Sequence, residues 1–282
     1  MDIKSLITEF QNWDLRNLSK YADLLSTKTD DGQFFPPYIP FVGKNYEGYR
    51  ILIYATAQNI PFSLNELSLR ELYSKNFDKL VERLYYSCPG FERKYPENDL
   101  DFSEIAIAPY QGGVLPALAG VLIYSISQEK YSTFNEVQDH VAVSNYYKFS
   151  LHKKIDINPN HLESPEKYWE LNDELALREL KELKPSIIIT FQGRHVRFLE
   201  EQGLKVKIIN DPAWILRGGR GCLKPTGNWG RKRSEIRDQG IVPLVDNYVN
   251  DLRDSYKGKK EAVKTYLLHY HLDWLETLQK NT

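Results

Sequence analysis

Residues 50 to 65 read Arg-Ile-Leu-Ile-Tyr-Ala-Thr-Ala-Gln-Asn-Ile-Pro-Phe-Ser-Leu-Asn, and this stretch decides the fold. The apolar run at 51–54 is typical of a strand buried on both faces. A polar loop with Gln58 and Asn59 follows, and Ser63 and Glu66 have the spacing of a capping box at a helix start. This order predicts side-chain amides beside free backbone N–H groups. An ordinary βα turn without a ligand would give the same pattern.

Composition limits the class of protein. The chain has 282 residues, 41% of them hydrophobic and 27% charged, which predicts a globular protein. No apolar run reaches the roughly 18 residues that cross a membrane, so no membrane partner is expected. The net charge of −1 means that a polyanion must be met by a local basic patch. The sequence favours a monomer.

Cysteine and histidine usage indicates the compartment and argues against a metal. Cys88 and Cys222 are too few for a disulfide framework, an iron–sulfur cluster or a cysteine zinc site, which favours a reduced cytoplasm. His152 and His161 have no metal-ligand spacing with them. We therefore expect neither a metal nor a cofactor.

Strands that alternate with helices predict an α/β fold. Further strands are expected at 140–144, 186–191 and 206–209, and helices at 115–127, 164–183, 192–203, 234–255 and 259–279. This alternation predicts a three-layer α/β/α sandwich with a central, mostly parallel four-stranded sheet. We expect one domain over residues 1–282, with an N-terminal helical extension (1–33) and C-terminal helices (234–282).

Polar residues follow each predicted strand. They are Gln58 and Asn59, then Asn145 and Tyr147, then Gln192, Arg194 and His195, and finally Asn210 and Asp211. Ligands of parallel sheets bind at the carboxyl ends of the strands. Amides carry both donors and acceptors, which suits the edge of a nucleobase, although strand ends are also polar for mere solvation.

The order of these segments resembles the uracil-DNA glycosylase superfamily over about residues 41–215. Ala57-Gln58-Asn59 is similar to its first motif, and Val143-Ser144-Asn145-Tyr146-Tyr147-Lys148 to its base-reading strand. Lys184-Pro185 and the strand to Gly193 resemble a Lys-Pro-strand-Gly segment, and Ile209-Asn210-Asp211-Pro212-Ala213 occupies the place of the third motif. The resemblance implies DNA repair by base excision.

The resemblance also implies roles for particular residues. Asn59 would aim the water that attacks the sugar, beside Gln58, and Asn145 would read the base edge. Phe62 and Tyr147 would stack on the base, and His195 would donate to a phosphate or an anion. Asn145 would otherwise be a loop-capping amide, the two aromatics core residues, and His195 a helix cap or a solvated side chain.

Two departures bear on activity. Ala57 stands where the first motif has Gly. Asp211 stands where the third motif has the His or Asn that stabilises the departing base, unless Asn210 takes that role through a one-residue slip. A carboxylate facing an anionic base is repulsive.

A glycine-rich basic loop at 217–233 is the predicted DNA contact. Its cations are Arg217, Arg220, Lys224, Arg231, Lys232 and Arg233. Trp229 is the candidate for insertion between bases. Cations with glycines that allow close backbone approach suit a phosphate chain, but a solvated loop has the same composition. Three hypotheses stay open: a DNA glycosylase, a non-catalytic nucleic-acid or nucleotide-binding module, and a hydrolase of free nucleosides or nucleotides.

Overall fold

The computed structural model describes residues 28–29, 32–33, 40–55, 114–149, 165–191, 194–204, 206–209, 240–252 and 258–279, and two helical positions, Glu9 and Asn12. The strands are β1 (Lys28–Thr29), β2 (Gly32–Gln33), β3 (Phe41–Val42), β4 (Ile51–Ala55), β5 (Val141–Asn145), β6 (Ile187–Phe191) and β7 (Val206–Ile209). The helices are α1 (Val114–Ser127), α2 (Phe134–Gln138), α3 (Pro165–Leu183), α4 (Arg194–Glu201), α5 (Ile241–Asn250) and α6 (Lys260–Gln279). A 3-10 turn spans Tyr46–Gly48.

A mostly parallel sheet forms the centre of this mixed α/β fold. Its order is β3-β5-β4-β6-β7. The four strands predicted from the sequence make up its parallel part, in the order β5-β4-β6-β7. The short β3, which is not among the predicted strands, adds an antiparallel edge to β5. Its two residues are apolar and buried, and the Gly43 N–H continues the pairing by donating to the Val141 carbonyl.

The second parallel strand is shifted by one residue from its predicted bounds. We expected it at 140–144, but β5 is Val141–Asn145. The His140 N–H donates to the Val137 carbonyl and closes the turn after α2, so pairing starts one residue later. As a result, Asn145 is the last residue of the strand and not a loop residue.

The helices α1, α3 and α6 follow their predicted ranges, α4 (Arg194–Glu201) is shorter than the predicted 192–203, and the predicted helix start at Ser63 lies outside the described residues. α1 and α3 match their predicted ranges to within one residue, because both have long apolar faces. The short α2 is not among the predicted helices, and it starts at a capping box between Thr133 and Glu136. α5 ends at Asn250, before the predicted 255, and the Asp251 N–H caps it by donating to Asn247.

Both faces of the central strand are covered. Every residue from 51 to 54 is buried, although consecutive side chains of a strand point to opposite faces. α1 packs against α5 and α6 in one group of helices. Gly120 lets α1 approach α5 closely, because a Cβ atom at this position would lie 2.1 Å from the Tyr248 hydroxyl oxygen.

Candidate functional site

The candidate site lies at the carboxyl ends of β4, β5 and β6. The chain passes from β4 to β5 on one side and then returns to β6 on the other side of β4. This reversal makes a topological switch point at the end of β4, which is where open α/β sheets bind ligands. Strand register places Asn145 directly beside Ala55, the last residue of β4. Asn59 follows Ala55 by four positions in the sequence.

Asn145 is one of several described residues with a buried side-chain polar atom that has no hydrogen-bond partner. Its side chain is fully buried, and among the described residues neither its amide oxygen nor its amide nitrogen has a hydrogen-bond partner. Asparagine is disfavoured in strands, and a buried amide without partners costs about 1–3 kcal/mol. An unsatisfied buried polar group in a folded protein calls for an explanation, and a bound ligand is one. The amide offers one donor group and one acceptor to such a ligand.

The segment after β5 is fixed to α3. The Tyr146 hydroxyl donates to Asp173 Oδ1 at 2.9 Å, and the Lys148 backbone N–H donates to Asn172 Oδ1, also at 2.9 Å. One residue further on, the Tyr168 hydroxyl donates to the carbonyl of residue 149 at 3.3 Å. The three donor–acceptor pairs hold the chain that follows Asn145 in one path.

A buried charge cluster lies beside the end of β5. Lys148 Nζ is 2.6 Å from Glu179 Oε2, and the side chains are 1% and 2% exposed. The Ser144 hydroxyl donates to the same carboxylate oxygen at 2.8 Å, and its oxygen accepts from Lys148 Nζ at 2.9 Å. Burial raises the pKa of the Glu179 carboxyl, and the nearby Lys148 ammonium opposes that rise. Lys148 Nζ also lies 5.0 Å from the centre of the Tyr54 ring.

The cluster lies on one face of the sheet, and Asn145 is directed to the other. Tyr54 is in register with both Ser144 and Thr190, so the three side chains share a face. That face contacts α3 through Glu179 and α4 through His195. Asn145 follows Ser144 directly, so alternation directs its side chain to the opposite face.

The predicted anion donor His195 is buried against the sheet. The Thr190 hydroxyl donates its only proton to the Tyr54 carbonyl at 2.6 Å. Thr190 Oγ1 therefore accepts from His195 Nε2, 2.7 Å away, and the imidazole carries its proton on Nε2. This chain of hydrogen bonds ties the first turn of α4 to the ends of β4 and β6.

The predicted stacking residue Tyr147 belongs to an aromatic group. Its half-buried ring lies 5.6 Å from Tyr146 and 5.7 Å from Trp169, centre to centre. Tyr146 in turn lies 5.4 Å from the His195 ring and 5.6 Å from Phe198. Of the predicted site residues, Tyr147 and His195 thus both lie near Tyr146, whereas the Asn145 side chain is directed to the opposite face of the sheet.

The remaining predicted site residues lie outside the described residues. These are Gln58, Asn59, Phe62, Asn210, Asp211, Arg217, Arg220, Lys224, Trp229, Arg231, Lys232 and Arg233. Their proposed roles stay predictions from the sequence.

Sequence reasoning missed Glu179 and Asn172, which hold the segment after Asn145. A signal for both was present in α3. Glu179 stands four residues from Leu175 and from Leu183, and Asn172 three residues before Leu175, so polar side chains interrupt an apolar helix face. A buried carboxylate needs a cationic partner, and Lys148 in the quoted strand motif was a candidate.

Comparisons with known proteins leave the family open: no protein-family model matches the chain, and no curated protein matches it either. Of the helices within the described ranges, none combines the length and apolar character needed to cross a membrane. Over the same ranges, no group of three His, Cys, Asp or Glu side chains is arranged to hold a metal ion.

Proposed function

We propose that this protein binds DNA and hydrolyses the N-glycosidic bond of a uracil-like or deaminated base, which it accepts at the carboxyl ends of β4, β5 and β6. The observation that carries the proposal is the buried Asn145 amide, which has no hydrogen-bond partner in the described part of the chain and lies at a topological switch point. A lactam edge such as that of uracil would satisfy both halves of this amide, because it presents an N–H donor beside a carbonyl acceptor.

The reaction needs an extruded nucleotide, an aimed water and stabilisation of the departing base. Asn145 would read the base, and Asn59 would aim the water, as the resemblance to uracil-DNA glycosylases implies. An amide cannot act as a general base, so turnover would be slow. Asn210 or Asp211 would lie near the departing base, and the basic loop at 217–233 would hold the phosphates.

The finer architecture is part of the proposal. We infer a three-layer α/β/α sandwich, in which α3 and α4 cover the face of Tyr54 and the group of α1, α5 and α6 covers the other. Burial of all residues at 51–54 supports two covered faces. The right-handed rule for parallel crossovers supports it too, because the connections from β4 to β5 and from β5 to β6 run in opposite directions across the sheet.

Oligonucleotides that contain a single uracil, xanthine or hypoxanthine test the proposed activity. Wild-type protein should produce abasic sites, scored by alkaline strand cleavage, in at least one of the three. Asn59→Ala should abolish excision and leave DNA affinity nearly unchanged, because an aimed water contributes mainly in the transition state. Asn59→Asp should excise faster than wild type, since a carboxylate also stabilises the cationic sugar.

A second candidate function is a non-catalytic nucleic-acid-binding module, favoured by Asp211 at the third-motif position. It predicts no abasic sites even at stoichiometric protein and long incubation. DNA affinity would still fall steeply with salt, and Ala at Arg231, Lys232 and Arg233 would lower the salt slope by roughly one per lost contact. A protein that ignores DNA at low salt would contradict both candidates.

A further inference from the structure

The buried ion pair between Lys148 and Glu179 is not explained by stability alone. Desolvating two charges costs several kcal/mol per ion, and well-packed apolar side chains in place of a buried pair are often as stable or more so. Here both side chains are almost completely buried and only 2.6 Å apart. A cluster of this kind calls for a role other than adding to the free energy of unfolding.

The cluster of Ser144, Lys148 and Glu179 holds the chain on both sides of Asn145. The Ser144 hydroxyl donates to Glu179, so the cluster holds the residue directly before Asn145, and Glu179 contacts the chain again through Lys148, four residues after Ser144. These contacts lie on the face of the sheet opposite to the Asn145 side chain. Lys148 is held a second time, through its backbone N–H, by Asn172.

Within the described ranges, no hydrogen bond holds the Asn145 side-chain amide. The direction of that amide is therefore set by the backbone at 144–148 and by packing. A group that must meet a ligand needs its geometry fixed in advance by neighbours with locked conformations.

We propose that Ser144, Lys148 and Glu179 are positioning residues that fix the strand end so that the Asn145 amide meets its ligand in one orientation. This inference rests on the proposed function in that Asn145 is the ligand-reading group. The three residues act through Asn145 and touch no ligand themselves.

The test replaces the charged cluster with apolar side chains in one variant, Ser144→Ala with Lys148→Met and Glu179→Leu. We expect this triple variant to keep a melting temperature near that of the wild type. In protein labelled with ¹⁵N-asparagine, the Asn145 side-chain amide should change from one sharp pair of NMR signals to broadened or multiple ones. Affinity for a single-stranded oligonucleotide with one deoxyuridine should fall by about 10- to 100-fold.

The matched control is Tyr46→Phe, which removes a buried 3.1 Å hydrogen bond from the Tyr46 hydroxyl to the Leu183 carbonyl at the carboxyl end of α3, one turn beyond Glu179. It should lower the melting temperature and leave both the Asn145 signals and the affinity unchanged. If the triple variant does not fold, Ser144→Ala alone carries the test, with smaller changes in the same two readouts.

Unchanged Asn145 signals in a folded variant overturn the positioning role. Changed signals with wild-type affinity overturn it as well. If wild-type protein has no affinity for the oligonucleotide, the proposed function fails by itself. The NMR signals then decide the positioning role alone: altered signals support it and unaltered signals refute it.

Discussion

Comparing Asn145 with Asn172 measures how much an amide without a hydrogen-bond partner lowers the free energy of unfolding. Both side chains are completely buried, and Asn172 contacts the chain three residues after Asn145. Asn172 accepts a 2.9 Å hydrogen bond from the Lys148 N–H, whereas neither amide atom of Asn145 has a partner among the residues that the structure describes. Replacing each by Ala should therefore change the free energy of unfolding in opposite directions.

Two opposing effects set the change in the free energy of unfolding that we expect for Asn145→Ala. Removing the unpaired Asn145 amide relieves about 1–3 kcal/mol of desolvation. The cavity costs about 24 cal/mol per Å³, or roughly 0.7 kcal/mol for an amide group of roughly 30 Å³. Asn145→Ala should thus raise the free energy of unfolding by about 0.3–2 kcal/mol and the melting temperature by roughly 0.5–3.5 °C. Asn172→Ala leaves the Lys148 N–H unpaired and should lower the free energy of unfolding by about 2–4 kcal/mol.

Urea denaturation of both variants, followed by circular dichroism, measures these changes, provided that the slope with urea stays that of the wild type. The reasoning fails if Asn145→Ala lowers the free energy of unfolding by more than about 1 kcal/mol, as the loss of a structural cap does. Asn145 would then be a structural residue, and the ligand site would have to lie elsewhere.

Two further predictions test other parts of the fold. Gly120→Ala should destabilise the protein by about 1–3 kcal/mol, because its Cβ would collide with Tyr248. In the control Gly48→Ala, the Cβ would meet no described atom within 4 Å, so the free energy of unfolding should change by less than about 1 kcal/mol. Equal effects of the two substitutions in urea denaturation would contradict the packing of α1 on α5. Burial lowers the pKa of His140 from its usual 6.5, so the unfolded chain takes up the proton first and stability falls as pH drops below about 6.5. His140→Gln should flatten that part of the stability–pH curve, and an unchanged slope would exclude His140 as the cause.

Local patterns were enough to predict the four parallel strands and the long helices α1, α3 and α6. The apolar run at 51–54 and the amphipathic spacing of α3 reflect burial, and burial follows directly from side-chain chemistry. The start of β5 was predicted one residue too early, because a hydrogen bond from the His140 N–H to the preceding turn decides where strand pairing begins. The edge strand β3 has only two residues, too few for a periodic pattern.

The candidate site was predicted in part. Its location follows from parallel strands that end in polar residues, and Asn145 was chosen for that reason. The pairing of Lys148 with Glu179 was missed although polar residues interrupt the apolar face of α3, because Glu179 is 31 residues away and only the packing of α3 on the sheet brings the two charges together. Likewise, the sequence could not reveal that Thr190 fixes the proton of His195, because that conclusion depends on the hydrogen bond to Tyr54.

The proposed function requires that Asn145 recognises a base, and binding affinities test this requirement. Two proteins are compared, both with Asn59→Ala so that no base is removed during the measurement, and one also with Asn145→Ala. Fluorescence anisotropy gives their affinities for a single-stranded oligonucleotide with one deoxyuridine and for the same strand with a tetrahydrofuran abasic analogue. With Asn145 present, the uracil strand should bind about 5- to 150-fold more tightly, as expected for a bidentate contact of about 1–3 kcal/mol. Asn145→Ala should remove that preference, and a preference that survives the substitution would contradict the account.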